Sequence, residues 1–188
     1  MPTMDNPHAI RLYNSLLINA DKKFAEEFAK ELPLSKSATF ERKFKWAVDV
    51  CEFLEDHFDD DTICKIRIAC NCENGENKAS KMKSLFRASK DLLDFSNKFN
   101  SLENYAKLEF KGDSLLFIYP VCYCSCVKRA DKSISKTRCY CTLGYTKSLF
   151  EKVFDYQVNV ELLESIKTGS NRCVIKITRN TIKWEEYK

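Results

Sequence analysis

Glycine and proline number only four each in this chain of 188 residues, and histidine only two. So few glycines leave little to build a phosphate-cradling loop or a dinucleotide-binding turn, and neither spacing is present. With His8 and His57 the only histidines, no serine–histidine–aspartate set is recognisable. No run approaches the roughly 18 apolar residues that a membrane-crossing helix needs. The opening "MPTMDNPHAI" has no apolar segment behind a basic end, so no secretory signal is expected. A one-sided charge is missing too. The net charge is +4, and acids alternate with bases along most of the chain, which describes a solvated surface rather than a nucleic-acid footprint. Neither a nucleic acid nor a membrane is expected as a partner, and the expected location is the cytoplasm.

What is present suits a folded globule. Thirteen Phe and eight Tyr supply bulky material for a core. The length fits one domain, residues 1–188, with a helical half over 1–100 and a hairpin–cysteine loop–helix–hairpin half over 101–188. Asn6-Pro7 reads as an N-cap followed by proline at the first helical position. Behind it Ile10, Tyr13, Leu17, Ala20, Phe24 and Phe28 recur at helical spacing, predicting one helix that ends near Leu32-Pro33. Phe40, Phe44, Ala47, Cys51, Leu54 and Phe58 predict a second helix. "DDDTICKIRIACNC" alternates like a strand, but its Asp run suits a helix start, so a short helix unwinding near Asn71 is expected. A helical stretch over about 80–99, broken near Asp91, follows. Leu108 and Phe110, a Gly112-Asp113 turn and the run Leu115 to Tyr119 predict a β-hairpin. A helix from about Thr142 to Phe154 comes next, then a second hairpin through "KTGSN". The fold class expected is α+β: N-terminal helices packed with a four-stranded antiparallel sheet, made of two hairpins joined by a cysteine-rich loop and a helix.

Cysteine is the residue in excess. Five of the ten fall in "PVCYCSCVKRADKSISKTRCYCTLGY": Cys122, Cys124 and Cys126, then Cys139 and Cys141 after twelve residues. Cys70 and Cys72 form a further "CNC". In a reducing compartment such crowding points to metal or thiol chemistry rather than to disulfides. Residues two apart in an extended segment point the same way, so two short arms could meet as a tetrahedral thiolate site. Soft ligands favour zinc, with an iron–sulfur cluster as the alternative. Lys128, Arg129, Lys132, Lys136 and Arg138 lie between the arms against one acid, Asp131. They would offset thiolate charge around zinc, or lower thiol pKa values without any metal. Reactive thiols and plain packing are the rival readings. The expected metal ligands are Cys122, Cys124, Cys126, Cys139 and Cys141, with Cys70 and Cys72 completing or extending the site. Cys51, Cys64 and Cys173 fall on apolar patterns and read as structural. His8 and His57 read as surface residues at helix ends, and Asp59, Asp60 and Asp61 as a solvated helix start.

From Leu115 onward, "CYCTLGYTKSLFEKVF" followed by "VNVELLESIKTGSNRCVIKI" resembles the 4-vinyl reductase-type small-molecule-binding domains, relatives of the TRAPP trafficking subunits. "IRIACNC" is similar to a helix end in L-2-amino-thiazoline-4-carboxylic acid hydrolase-like proteins. The resemblance implies an apolar pocket between helices and sheet, a cysteine-bound metal in some relatives, and a homodimer. Cys122, Cys124, Cys126, Cys139 and Cys141 would fill the cysteine-rich place of the family and Cys173 the strand cysteine. Three cysteines in the first arm depart from the family pattern and leave the ligand set open. A stand-alone sensor would also need a separate output partner.

The function expected is a binding or sensor module with a thiolate metal site beside a pocket for a small apolar molecule. The alternatives are a cysteine- or metal-dependent hydrolase, using a cysteine such as Cys126 or Cys139, and a structural protein with a metal-closed loop. No catalytic residue is assigned.

Overall fold

The computed structural model describes residues 4–70 and 76–179. Among these, seven α-helices and a four-stranded antiparallel sheet make an α+β protein. No helix among the described residues is long and apolar enough to cross a membrane. The chain divides into two compact units: Met1–Cys72 with Tyr123–Gly144, and Glu73–Cys122 with Tyr145–Lys188. Each unit thus draws on both the 1–100 and the 101–188 stretches.

The first unit holds α1 (Pro7–Asn19), α2 (Lys22–Glu31), α3 (Phe40–His57) and α4 (Asp60–Ala69), then the cysteine loop, a 3₁₀ turn (Lys136–Arg138) and the start of α7 (Tyr140–Phe154). Asn6 caps α1 by accepting from His8 N at 3.0 Å. The single helix expected up to Leu32 is two. Ala20 leaves helical geometry at φ −134°, and Asp21 caps α2 by accepting from Lys23 N at 2.8 Å. An Asp that can satisfy the orphan N–H groups of a new helix start competes with continuing the old one. The apolar spacing continues across the break, so periodicity alone did not reveal it. The short helix expected in "DDDTICKIRIACNC" is α4, with Asp59 accepting from Thr62 N at 2.8 Å. Its unwinding at Asn71 lies outside the described residues. Leu12, Leu16, Phe28, Trp46, Leu54 and Ile66 are buried in this unit.

The second unit contains α5 (Glu76–Arg87), α6 (Leu92–Leu102), strands β1 (Lys107–Phe110), β2 (Leu115–Tyr119), β3 (Val158–Glu164) and β4 (Cys173–Arg179), and most of α7. Asp91 caps α6 through Asp94 N at 2.7 Å, which explains the break expected there. The strand order is β1-β2-β4-β3, two hairpins joined edge to edge along β2 and β4, with Phe117 opposite Ile175. The short edge strand β1 is tied to α6 by Asn100, whose side chain donates to Leu108 O and accepts from Leu108 N, both at 2.8 Å. Phe95, Phe99, Phe117, Phe150 and Phe154 are fully buried among these elements, with ring centroids 5.2 Å apart for Phe117 and Phe150. Edge-to-face pairs of this kind add to the area they bury.

Candidate functional site

The cysteine loop is anchored by local turns and by acids of the first unit. Val127 N and Lys128 N both donate to Cys124 O, at 3.0 and 2.8 Å, and Cys139 N donates to Lys136 O at 2.7 Å. Val127 and Ile134 are buried. Glu55 on α3 accepts from Ser135 and, at 2.6 Å, from Thr137. Asp60 at the start of α4 accepts from Lys136 Nζ at 2.9 Å and from Tyr140 Oη at 3.0 Å. These contacts hold the 3₁₀ turn, and with it Arg138, in one orientation. Asp60 has structural work here, and its carboxyl is held below the usual range by the Lys136 hydrogen bond first.

Of the five cations between the cysteine arms, four are exposed and one turns inward. Arg138 is 2% exposed, with its guanidinium carbon 5.7 Å from the Trp46 ring. Its Nη2 donates to Cys124 Sγ at 3.4 Å. A hydrogen bond from the Cys126 thiol, then the charge and hydrogen bond of Arg138, hold Cys124 far below the usual thiol range, against the opposing effect of burial. Cys126 is pushed the other way, first by giving that hydrogen bond and then by its own burial. The charge of the pair is therefore favoured on Cys124, beside Arg138, and the proton on Cys126. Both are free of disulfides.

Arg67 on α4 is the second buried guanidinium, 3% exposed, donating from Nε to Thr137 O at 3.2 Å and from Nη2 to Arg138 O at 3.3 Å. Sequence reasoning missed it. The signal was there, because Arg67 follows Ile66 and lies four residues after Ile63 and three before Cys70, on the buried stripe of α4. His8 was read as a surface residue, and the structure places it half-buried at this centre. Its Nε2 is 3.0 Å from Ser125 Oγ, and Arg11 Nη2 lies 3.4 Å from its Nδ1. Burial first, then Arg138 and Arg11, lower its pKa to about 4, so the ring is neutral at pH 7. Donation from Arg11 to Nδ1 makes Nε2–H the donor toward Ser125. His57 sits elsewhere, its Nδ1 donating to Phe53 O at 2.7 Å, with Glu27 3.7 Å from Nε2.

The two arms both contact Arg138, one through its guanidinium and the other through its backbone carbonyl. Cys124 meets its guanidinium, and the Cys141 thiol donates to its carbonyl oxygen at 3.4 Å. Cys70 is buried on α4, its thiol donating to Ile66 O at 3.2 Å, and Cys139 is half-buried at the end of the 3₁₀ turn. Cys122 is half-buried and belongs to the second unit, and Cys72 lies outside the described residues. Among the described residues no three His, Cys, Asp or Glu side chains are grouped so that they could hold a metal ion. The expectation of zinc, or of an iron–sulfur cluster in its place, is therefore corrected: a guanidinium supplies the cation that the thiolate needs. The apolar pocket is not what borders α2 and α3 either. The groove there is lined by Lys23, Phe24, Glu26, Glu27, Lys30, Glu31 and His57, mostly charged side chains.

Comparisons with known proteins correct the expected family as well. A family model described as "Family of unknown function (DUF6144)" matches residues 5–184, in place of the 4-vinyl reductase and TRAPP-like resemblance. No curated protein matches. Among solved structures, an H-NOX protein from S. oneidensis in the Fe(II)NO ligation state is 12% identical, covering 93% of this chain and 99% of its own, at a TM-score of 0.43. The phenol-responsive sensory domain of the transcription activator PoxR, solved with phenol, is 11% identical, covering 90% and 92%, at 0.42. A structure probing heme distortion in the H-NOX family is 14% identical, covering 96% and 97%, at 0.36. The NO, heme and phenol belong to those proteins. At such TM-scores the likeness assigns no ligand to this chain.

Proposed function

The chain belongs to this family of unknown function, and from its own site we propose that it is a small-molecule binding and sensing module that reads its ligand at the Cys124–Arg138 pair. The observation that carries this reading is the 3.4 Å contact between a fully buried guanidinium and a half-buried, disulfide-free thiol. A thiolate beside an arginine is a soft nucleophile at neutral pH. Arg138 and Cys126 donate to it and accept no proton from it, so the sulfur is kept ionised rather than activated by a base. That favours recognition over the turnover of a hydrolase, which needs a group to shuttle protons.

Arg138 supports a route from binding to response. It ends the 3₁₀ turn that Glu55 and Asp60 clamp, two residues before α7 begins. A ligand that consumes the negative charge on Cys124 would leave a buried guanidinium without its counter-charge, at a cost that favours rearrangement of the turn.

Iodoacetamide labelling followed by mass spectrometry at pH 6 tests this reading. Cys124 should be modified first and to completion, with the half-buried Cys64, whose pKa burial raises, far slower. Equal slow labelling of both would overturn it.

A further inference from the structure

Charge does not balance inside the first unit. Arg67 and Arg138 are 3% and 2% exposed, and among the described residues neither forms an ion pair with a carboxylate. Guanidinium groups do not give up their proton in proteins. Against these two positive charges the structure sets the Cys124 sulfur, 3.4 Å from Arg138 Nη2 and held toward its charged form. Three further buried sulfurs are held as thiols. Cys70 and Cys141 donate their thiol protons to carbonyl oxygens, and burial pushes Cys51 up to about 11. His8 is neutral, and Arg11 brings a further positive charge to its Nδ1, while its Nε2 faces Ser125.

Donors are in surplus as well. Arg138 Nε and Arg11 Nε are both buried and have no acceptor among the described residues. A buried donor without an acceptor is costly, and a buried charge without a counter-charge more so. Planar guanidinium forks match the oxygens of carboxylates and oxyanions.

We propose that the first unit binds a small oxygen anion, an inorganic oxyanion or a carboxylate, on Arg138 and Arg11, supplying the second negative charge that two buried arginines require. This deepens the sensing module proposed above and rests on the same centre. Cys124 then plays a second part, because its negative charge competes with the ligand for the same cations. Replacing it by a neutral serine should therefore tighten anion binding, the reverse of what loss of a ligand-contacting residue does.

The test is thermal unfolding and calorimetry of the full chain with sodium phosphate, sulfate, acetate or benzoate, each against sodium chloride at matched ionic strength. One of the four should raise the melting temperature saturably, and its identity separates an inorganic oxyanion from a carboxylate. Cys124→Ser should bind that anion on the order of tenfold more tightly, about one pKa unit's worth of interaction. Arg67→Met, which removes the excess charge, should bind it on the order of tenfold more weakly. No response beyond chloride in the wild type overturns the proposal, and so does an equal response in wild type and Cys124→Ser. The serine variant is nearly isosteric, so the comparison stands even where Arg67→Met fails to fold. Labelling of Cys124 on the same wild-type sample separates the two readings. Fast labelling without an anion response sinks this inference alone, whereas slow labelling with an anion response that Cys124→Ser tightens sinks the reactive-thiolate reading and leaves the anion site.

Discussion

Cys124 and Arg138 are fourteen residues apart, and each was visible beforehand as one of many. The crowding of thiols and cations could be read from the chain, but not which cation turns inward. That choice is made by Trp46, which stacks on Arg138, and by the acids that clamp the turn bearing it. Arg138→Met should slow pH 6 labelling of Cys124 by tenfold or more, since each unit of upward pKa shift costs a factor of ten in thiolate below the pKa. A second outcome follows from the surplus of positive charge. Relative to Cys64, Cys124 should prefer the anionic iodoacetate over neutral iodoacetamide, and Arg67→Met should erase that preference. Parallel rate measurements with the two reagents read this directly.

At the scale of elements, the crossing of α4 and α7 in the first unit depends on one glycine. A Cβ built on Gly144 would stand 1.9 Å from Ile68 O, a backbone atom that no rotamer change can move. Gly144→Ala should destabilise by roughly 2–3 kcal/mol, in the range of overpacked interiors, measured by denaturant unfolding. The caps make smaller contributions. Asp91→Ala and Asp21→Ala should each cost about 1 kcal/mol, the first by fraying α6 and the second by loosening the α1–α2 break. The apolar stripes predicted most helices and both hairpins, because core-facing periodicity is local. They could not mark the Ala20 break, where a cap overrode a stripe that continues through it.

For the whole molecule, stability should rise with pH up to about 8.5, because Cys124 is held below the usual thiol range only in the folded chain. His8 adds an acid limb to that slope and Cys51 an alkaline limb. The His8 pKa is lowered to about 4 from an unfolded value near 6.5. Below 6.5 the unfolded chain binds the proton more readily, so stability falls as pH drops from about 6.5 toward 4. His8→Gln should flatten that limb. Cys51 is raised to about 11 by burial from an unfolded value near 8.5, so its stabilising effect is complete below 8.5 and lost as pH rises through 11. Cys51→Ala should make the alkaline fall shallower while lowering stability at every pH through the small cavity it leaves. Urea unfolding from pH 4 to 10 checks both signs.

By itself the sequence determined the α+β class, the two hairpins, most helix starts and the concentration of thiols in one loop. These follow from alternation, apolar spacing and capping, which act over a few neighbours. Only the tertiary structure decided that the cation among the thiols is a guanidinium, that Arg67 and His8 join it, and that Cys124 is the sulfur it meets. Those outcomes depend on burial and on groups from α1, α3 and α4 brought beside the loop, and charge in a protein interior is set by whatever the fold places within a few ångströms.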